Sequence, residues 1–397
     1  MATFSVRFLG CKVSFADAQA VRERLLVDGH AEVEVGGEIA IVNTCCVTHE
    51  AVSKSRQAAS RASRTHGRVY VTGCGARLVG AFEAMPENVT VLTASGDDAP
   101  AAIAGDVGAI GCVRGGARLE RTRAFVKIQD GCSFSCSFCV IPQVRGATRS
   151  RRAEAVLAEV ARRAGQGHRE VVLTGVNLGC FRDREAGYSL PRLVREAGAV
   201  PGVERLRLSS IEVNHLSEEL VAALRETPTA SRHLHVPLQS GDDGVLRAME
   251  RRYTARQYLA KLEPLADFNL TADVIVGFPG EDESAFRRTL ELVERAGITK
   301  VHVFPYSPRP GTRTAAADTV SASVKKERSA RLRALSDELC RRRWASKVGT
   351  EDSVLVDRPG RGYAADYTPW LVDAEVGTFV RARAVGLAEE GILAVAA

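Results

Sequence analysis

Short runs of β-branched and aromatic residues alternate with helical patterns along most of the 397 residues. This alternation is typical of βα units and predicts an α/β protein whose strands are mostly parallel. Two series of strands can be separated. The first series predicts a small, open, doubly wound sheet. Its strands are TFSVRF (3–8), EIAIVN (38–43), RVYVTG (68–73) and VTVL (89–92).

The second series contains six strands with helical segments between them. Six units are too few for a complete eight-unit barrel, so this series predicts an incomplete (βα)6 barrel. Its strands are FVKI (125–128), EVVLTG (170–175), RLRLSS (205–210), LHVPL (234–238), ADVIVG (272–277) and KVHVFP (300–305). A Gly/Ala-rich stretch from about 95 to 118 is expected to join the two series.

The C-terminal part begins with a basic helix at about 321–347 and continues with short alternating strands separated by Gly and Pro. About fifty residues of this kind predict a small antiparallel β-barrel. Its predicted strands are DSVLVD (352–357), TFVRARAVGL (378–387) and GILAVA (391–396). We therefore expect three domains, at residues 1–116, 117–345 and 346–397.

The composition restricts where the protein works and what it binds. The sequence has no run of eighteen uncharged apolar residues and no basic-then-apolar leader, so we expect a cytoplasmic protein with no membrane partner. In that compartment its 10 cysteines indicate metal binding or catalysis, whereas a secreted protein would use them in disulfides. The formal net charge of +6 favours a polyanionic partner only weakly.

Three cysteines, Cys132, Cys136 and Cys139, lie close together in GCSFSCSFC. Their spacing also suits one stripe of a helix, but the glycine, the serines and the nearby Pro142 are poor helix residues. Thiolates hold iron–sulfur clusters, and three ligands leave one iron of a four-iron cluster open for chemistry. Zinc is the alternative, although a three-cysteine zinc site usually recruits a histidine and none lies between 124 and 166.

A second set of cysteines follows the strands of the first series. Cys11, Cys45 and Cys74 each come a residue or two after the end of a predicted strand. Because ligands bind at the carboxyl ends of strands in open α/β sheets, we expect the three thiols to converge. The alternative is three separately buried thiols, although βα turns usually favour Gly, Ser, Asn and Asp.

The triplet C-x3-C-x2-C, placed after the first strand of an incomplete barrel, resembles the radical S-adenosyl-L-methionine (radical SAM) enzymes. That resemblance implies a [4Fe-4S] cluster whose open iron binds SAM, and a 5′-deoxyadenosyl radical formed by reductive cleavage of SAM. Nearly the whole chain is similar to the methylthiotransferase branch, and its last fifty residues resemble the RNA-binding TRAM barrel of that branch. The similar blocks include GCKVSFADAQ, NTCCVTHEAVSKSRQ, VTGCGAR, HVPLQSGDDGVLRAM, DVIVGFPGEDE and HVFPYSPRPGT.

The same resemblance implies that Cys11, Cys45 and Cys74 hold a second [4Fe-4S] cluster, which carries the sulfur to be methylated and inserted. It also implies two SAM per turnover. Cys46 adjoins Cys45, but the strand-end position and the NTC match favour Cys45. The chain departs from the family at Ser14, Cys46 and 75–77, and none of these positions is a predicted ligand. The remaining cysteines are interpreted as structural: Cys112, Cys180 and Cys340.

Strand ends of the second series are expected to contact SAM, as in βα barrels generally. Strand-end packing and turn chemistry are the alternative for each residue. The predicted contacts are Thr174, Gly175 and Asn177 near the methionyl group, Ser209, Ser210 and Glu212 near the ribose, Gln239, Val276 and Gly277 near the nucleoside, and Phe138, which would shield the cluster or stack on adenine.

An RNA partner is predicted from the arginines that follow the triplet. We expect phosphate contacts from Arg145, Arg149, Arg151 and Arg152, with a solvated charged face as the alternative.

GCKV and NTCCVTHEAVSKSRQ are most similar to the branch acting on N6-threonylcarbamoyladenosine, which predicts methylthiolation of that nucleoside at C2 in a tRNA anticodon stem-loop. An electron donor and a sulfur donor are further expected partners. Branches acting on isopentenyladenosine in tRNA or on a ribosomal-protein aspartate are alternatives, and a non-catalytic iron–sulfur RNA-binding protein is an alternative of another class.

Overall fold

A computed structural model describes residues 1–94, 96–109 and 122–397. Its strands are β1 (Thr3–Phe8), β2 (Ala31–Glu32), β3 (Ile39–Thr44), β4 (Arg68–Gly73), β5 (Val89–Val91), β6 (Arg123–Asp130), β7 (Arg149–Ser150), β8 (Glu170–Gly175), β9 (Arg182–Asp183), β10 (Tyr188–Ser189), β11 (Arg205–Leu208), β12 (His233–His235), β13 (Asn269–Val276), β14 (Ile298–Pro305), β15 (Glu351–Arg358), β16 (Arg361–Tyr363), β17 (Pro369–Leu371), β18 (Phe379–Ala388) and β19 (Gly391–Ala396).

Helices connect most of these strands. They are α1 (Lys12–Val27), α2 (His49–Ala62), α3 (Ala99–Val107), α4 (Ile141–Arg145), α5 (Ala153–Gly165), α6 (Leu190–Gly198), α7 (Glu218–Glu226), α8 (Asp243–Ala248), α9 (Ala255–Leu262), α10 (Glu283–Arg295) and α11 (Ala322–Ala345).

The N-terminal sheet is parallel throughout, in the order β2-β1-β3-β4-β5. Successive residues of β3 pack on opposite faces: Ile41 packs with α1 and α3, and Val42 packs with α2. Burial on both faces explains why β3 reads as a continuous apolar run, and it confirms the predicted doubly wound sheet. The strand order reverses between β1 and β3, so the ends of these strands border the crevice where such sheets bind ligands.

The segment that was expected to join the first two domains is partly regular. Residues 99–107 form α3, and its Ala99 and Ile103 are buried against the N-terminal sheet and α1. Part of the Gly/Ala-rich stretch is therefore a helix, in which Ala99 and Ala104 face the core and Ala101 and Ala102 face solvent. Cys112 lies outside the described residues.

The central domain contains the six predicted parallel strands. β6, β8 and β11 pair in one sheet and β12, β13 and β14 in another, and a parallel bridge between Leu206 and Ala230 joins the two. This arrangement confirms the incomplete barrel. Apolar residues of β12–β14 belong to the main core, whereas His235, Asp273 and His302 lie on the other face, with ligand atoms within 4.8 Å of one another.

The C-terminal strands close into a barrel in the order β15-β16-β17-β19-β18, around the buried Trp370. Strands β16 and β17 have three residues each, too few for a recognisable alternation, which is why the sequence did not reveal them. The barrel docks on the amino ends of the central strands. Arg205 Nη1 donates to Tyr363 O (2.9 Å), and Asn269 Nδ2 donates to Asp366 O (2.8 Å).

The basic helix α11 packs against β14 before the chain enters the barrel. Val301 N donates to Ser336 Oγ (2.9 Å), and the Cys340 thiol donates to Thr299 O (2.9 Å), so Cys340 has a structural contact. Within the described ranges, every helix is too short or too polar to cross a bilayer.

Candidate active site

The cysteine triplet lies on the loop between β6 and α4. Residues 131–136 have no regular secondary structure, which excludes the helical stripe considered from the spacing. Backbone hydrogen bonds hold the loop: Cys132 N donates to Gly146 O (3.0 Å), and Cys139 N donates to Cys136 O (3.1 Å). The three thiols are therefore presented by an irregular loop that can curve around a ligand.

Gly131 turns the chain from β6 into this loop. Its φ is +70°, and a Cβ atom at this position would lie 2.1 Å from Ala147 O. Both the left-handed backbone and the close approach require glycine.

The thiols of the triplet fit a metal cluster. None of the three thiols forms a disulfide. Burial, and to a smaller extent the neighbouring Cys136 and Cys132 thiols, raise the pKa of Cys139 to about 12. Neighbouring thiolates in a half-buried loop repel one another, so they need a cation among them to ionise together. An iron–sulfur cluster supplies that positive charge, and cysteine sulfur is its usual ligand.

Arg251 supports this site and was not predicted from the sequence. Its Nη1 lies 3.3 Å from Cys136 Sγ, and its Nη2 forms an ion pair with Glu212. The segment around it is simply basic in sequence, and the contact with the triplet arises only when the chain after α8 folds back over the loop.

The second set of cysteines meets at the carboxyl edge of the N-terminal sheet. Cys11 precedes α1, Cys45 directly follows β3 and Cys74 follows β4. Burial raises the pKa of Cys45 to about 11, and the nearby Cys11 and Cys74 thiols act in the same direction. The structure thus brings together three thiols that are far apart in the sequence, as the strand-end argument predicts.

Cys46 also lies beside Cys74, but its surroundings differ from those of Cys45. It is buried in an apolar cluster with Cys74, Val140 and Val144. Its hydrogen bond with Cys74 and its burial raise the pKa of the Cys46 thiol. Cys45 interacts with both Cys11 and Cys74, so Cys45 is the better candidate for the third ligand beside these two thiols.

Arg145 was predicted to contact RNA, and the structure places it inside the protein instead. It is only 5% exposed, so it is not available to a phosphate at the surface. Its Nε lies 2.9 Å from Cys74 Sγ, its Nη1 lies 2.9 Å from Asp130 Oδ1, and its Nη2 lies 2.8 Å from Asp17 Oδ2. Arg145 therefore joins the N-terminal domain to the end of β6, just before the triplet.

The other three arginines of this segment lie nearer the surface. Arg149 and Arg152 are exposed, and Arg152 forms an ion pair with Glu185. Arg151 is half-buried, and its Nη1 donates to Glu159 Oε2 and to Lys127 O, both at 2.7 Å. Arg149 and Arg152 are thus the accessible members of the predicted group.

A cavity of about 180 Å³ is lined by residues from both the N-terminal and the central domain. Val47 and Thr48, which follow Cys45 and Cys46, form part of its wall on the side of the N-terminal domain. Phe138, which precedes Cys139, and Gln239, which follows β12, form part of its wall on the side of the central domain. Residues that neighbour one cysteine of each set in the sequence therefore line the same space.

The predicted methionyl contacts lie beside the triplet. Asn177 Nδ2 is 3.9 Å from Cys132 Sγ, and Thr174 and Gly175 end β8. Thr174 Oγ1 and Asn177 Oδ1 are buried without a hydrogen-bond partner among the described residues. Buried polar atoms are normally paired, so these two atoms are available to a ligand.

The predicted ribose contacts follow β11. Ser209 is buried, Ser210 is half-buried, and Glu212 Oε1 has no hydrogen-bond partner among the residues that the structure describes. Burial raises the pKa of Glu212, although its ion pair with Arg251 acts against this. A ligand hydroxyl group would satisfy the free carboxylate oxygen.

The three predicted nucleoside contacts lie in different surroundings. Gln239 lines the cavity and has φ +66°, an unusual conformation for a residue other than glycine. The Val276 side chain is fully buried in the main core, so the contact with the nucleoside, which stays a prediction, would come from its backbone. A Cβ atom at Gly277 would lie 2.4 Å from Lys325 Cγ, so this position requires glycine. A ligand could contact only the backbone of Gly277.

Phe138 and Cys180 occupy the flanks of this site. The Phe138 ring packs edge-on against Phe278, with centroids 6.2 Å apart, next to the cavity. Cys180 Sγ lies 3.4 Å from His215 Nε2, which agrees with a structural interpretation of Cys180.

Two protein-family models match this chain, one in its N-terminal part and one in its central part. Residues 126–293 match the radical SAM superfamily, and residues 3–92 match the uncharacterized protein family UPF0004. A solved structure with a similar fold is the radical SAM methyltransferase TsrM from Kitasatospora setae, with tryptophan substrate and a SAM analog bound. It has a TM-score of 0.59 and 14% identity, and the similarity covers 79% of this chain and 74% of that one. The fold and the triplet thus define a radical SAM enzyme.

A curated relative that matches nearly the whole chain identifies the family within this superfamily, and a second relative matches part of the chain. A threonylcarbamoyladenosine tRNA methylthiotransferase, MtaB, of Chlamydia pneumoniae is 32% identical over 98% of this chain and 97% of its own length. A tRNA-2-methylthio-N(6)-dimethylallyladenosine synthase of Alkalilimnicola ehrlichii is 43% identical over 62% of this chain and 56% of its own length. The chain belongs to the radical SAM tRNA methylthiotransferases, and its cofactors are SAM and [4Fe-4S] clusters.

Proposed function

We propose that this enzyme attaches a methylthio group to C2 of N6-threonylcarbamoyladenosine beside the anticodon of tRNA, and that it consumes two SAM per product. The observation that carries this proposal is one cavity whose wall includes residues close in sequence to both sets of cysteines: Val47 and Thr48, which follow Cys45, and Phe138, which precedes Cys139. Sulfur held at one set and a radical formed at the other can act on the same carbon only if both face the same space.

Two clusters fit the donor sets that the chain presents. Cys132, Cys136 and Cys139 would hold one, and Cys11, Cys45 and Cys74 would hold the other. Together with SAM these cofactors supply the radical chemistry that removes hydrogen from an unactivated carbon. The chain supports the ligands with donors, since Arg251 contacts Cys136 Sγ and Arg145 contacts Cys74 Sγ.

Unpaired polar atoms near the triplet would hold SAM. Thr174 Oγ1 and Asn177 Oδ1 would accept hydrogen bonds from its amino group, and Glu212 Oε1 would accept one from a ribose hydroxyl. Gln239 would contact the nucleoside from the cavity wall, and the Phe138 ring would keep water away from the cluster.

The RNA would lie across exposed arginines. Arg149 and Arg152 follow the triplet, Arg341 lies on α11, and Arg381 lies on the C-terminal barrel, and all four are exposed. Phosphate contacts from these side chains would orient the anticodon stem-loop above the cavity. An electron donor and a sulfur donor complete the set of partners, in the cytoplasm where tRNA is modified.

The isopentenyl (dimethylallyl) form of adenosine is the second candidate substrate. It is favoured by the identity of 43% to the Alkalilimnicola ehrlichii synthase, which is higher but covers less of the chain than the similarity to MtaB. A ribosomal-protein aspartate is the third candidate, and its only support is that the sequence resembles a family in which one branch modifies this residue.

A substrate comparison tests the proposal. Anaerobically reconstituted enzyme with SAM and dithionite is given stem-loops that carry either modified adenosine, and the ribosomal protein, and the products are analysed by mass spectrometry. We expect methylthiolation of the threonylcarbamoyl stem-loop only. Exclusive modification of another substrate would refute the assignment. One 5′-deoxyadenosine and one S-adenosylhomocysteine per product would support the use of two SAM.

Cysteine variants test whether one set of cysteines is needed for cleavage of SAM and the other for transfer of the methylthio group. Cys132→Ser should abolish release of 5′-deoxyadenosine, whereas Cys45→Ser should retain it and lose methylthiolation. Cys340→Ser is the matched control and should retain both, because the Cys340 thiol donates to Thr299 O and belongs to neither set of cysteines. Iron analysis should give about eight irons per chain for two four-iron clusters. A protein that never releases 5′-deoxyadenosine would be the non-catalytic alternative.

A further inference from the structure

Arg309 differs from every other buried arginine in the described part of the chain. The others all form ion pairs with a carboxylate: Arg22, Arg145, Arg163, Arg205, Arg207 and Arg328. Arg309 is 3% exposed, and no carboxylate of the described residues forms an ion pair with it. Among the described residues, its positive charge therefore lacks a carboxylate partner.

The hydrogen bonds of Arg309 are also incomplete. Its Nη2 donates to Ser307 Oγ (3.1 Å), but Nε and Nη1 have no hydrogen-bond partner among the residues that the structure describes. Burial lowers the pKa of Arg309, and only the nearby Cys46 and Cys45 thiols act against this. A guanidinium group in this environment is unfavourable unless a ligand brings a negative charge to it.

Arg309 lies in the wall of the cavity that Phe138 and Gln239 also line. At about 180 Å³ this cavity is smaller than the roughly 300–1,000 Å³ typical of sites that enclose a whole small molecule, so it suits a side group of a larger substrate. Asp273 lies on the same wall, and its Oδ2 is 3.2 Å from His235 Nε2. The cavity thus offers a cation and a separate hydrogen-bond acceptor.

We propose that Arg309 binds the carboxylate of the threonylcarbamoyl group and thereby selects this nucleoside as the substrate. The inference rests on the proposed function. The threonylcarbamoyl group has one carboxylate for Arg309, and it has hydroxyl and N–H donors for Asp273. An isopentenyl group has neither, and it would leave the buried guanidinium unpaired, so the site would reject it.

The test compares two stem-loops that differ only in charge. One carries threonylcarbamoyladenosine and the other its neutral threonine amide. Reconstituted full-length enzyme should bind the acid about 10- to 100-fold more tightly, measured as KM and, without reductant, as Kd by fluorescence anisotropy. Arg309→Gln should weaken binding of the acid by a similar factor and change binding of the amide little. Arg309→Lys should recover part of the loss.

Arg287→Gln, which removes an exposed arginine on α10, is the matched control and should leave both affinities unchanged. The proposal is overturned if wild-type enzyme binds acid and amide equally. It is also overturned if Arg309→Gln weakens both equally and changes the paramagnetic resonance spectrum of the second cluster, because Arg309 would then serve the cluster. Failure of the proposed function gives a different result, in which wild-type enzyme leaves the threonylcarbamoyl stem-loop unmodified and methylthiolates another substrate.

Discussion

The Nε atom of Arg145 lies 2.9 Å from Cys74 Sγ, and the same guanidinium forms an ion pair with Asp130, two residues before Cys132. One side chain thus contacts a proposed ligand of the second cluster and the strand that leads into the loop of the first. Together with Asp17 of α1, it fixes the relative position of the two cysteine sets.

Arg145→Met should destabilise the protein and change the second cluster. Asp17 and Asp130 would lose a buried partner, so we expect a loss of about 3–5 kcal/mol in the free energy of unfolding, measured with urea. Removing a donor and a positive charge beside Cys74 should also make the reduction potential of that cluster more negative. Arg149→Met, on the exposed part of the same segment, is the control. Lower tRNA affinity with unchanged stability would instead restore Arg145 to an RNA-binding role.

Gly131→Ala should disrupt the loop of the first cluster. The new methyl group would lie 2.1 Å from Ala147 O, and φ is +70°. Gly360 provides the control, because its φ is +73° but nothing lies within 4 Å of an added Cβ atom. Gly360→Ala should therefore cost only the backbone strain of about 1 kcal/mol, whereas Gly131→Ala should also lower the iron content of reconstituted protein. Equal iron in the two variants would contradict this.

Gln239 combines backbone strain with a place in the cavity wall, and two substitutions separate the two roles. Gln239→Gly should relieve the strain at φ +66° and be about 1 kcal/mol more stable than Gln239→Ala. Both should weaken SAM binding, because both lose the side-chain amide. Calorimetric titration with SAM and thermal unfolding are the measurements. If either variant binds SAM as tightly as the wild type, Gln239 is not a cofactor contact.

Asp366 should make the joint between the central domain and the C-terminal barrel sensitive to acid. Although burial acts in the opposite direction, Lys347, Thr368 and Arg343 lower the pKa of Asp366 to about 2 from 3.8. This shift corresponds to about 2 kcal/mol of stability, which is fully present above pH 3.8 and is lost as the pH falls through 2.

Asp366→Asn should thus reduce the free energy of unfolding of the apo-protein by about 2 kcal/mol at pH 7 and pH 5, and by less at pH 3. Urea titrations at the three pH values are the measurement. Asp373→Asn, an exposed aspartate of the same domain, should have little effect at any pH. A difference that persists undiminished at pH 3 would show that the charge of Asp366 is not its source.

The sequence was sufficient for most strands, for the barrel type and for the two cysteine sets. The strand β3 is buried on both faces and is therefore an apolar run in the sequence. Gly131 and the serines, which are poor helix residues, predict the irregular loop of the triplet. These are local signals, because each depends on residues that are neighbours in the chain. The three-residue strands β16 and β17 carried no such signal.

The tertiary structure alone decided the roles of several charged side chains. Arg145 and Arg149 are four residues apart in one basic run, but only Arg145 is buried between two domains. Arg251 reaches Cys136 from more than a hundred residues away. Arg309 is the buried arginine that forms no ion pair with a carboxylate of the described residues, and its sequence neighbours give no sign of this. Composition and periodicity fix which elements form and which atoms can bind a metal. Burial and ion pairing depend on which distant surfaces meet, so they appear only in the folded chain.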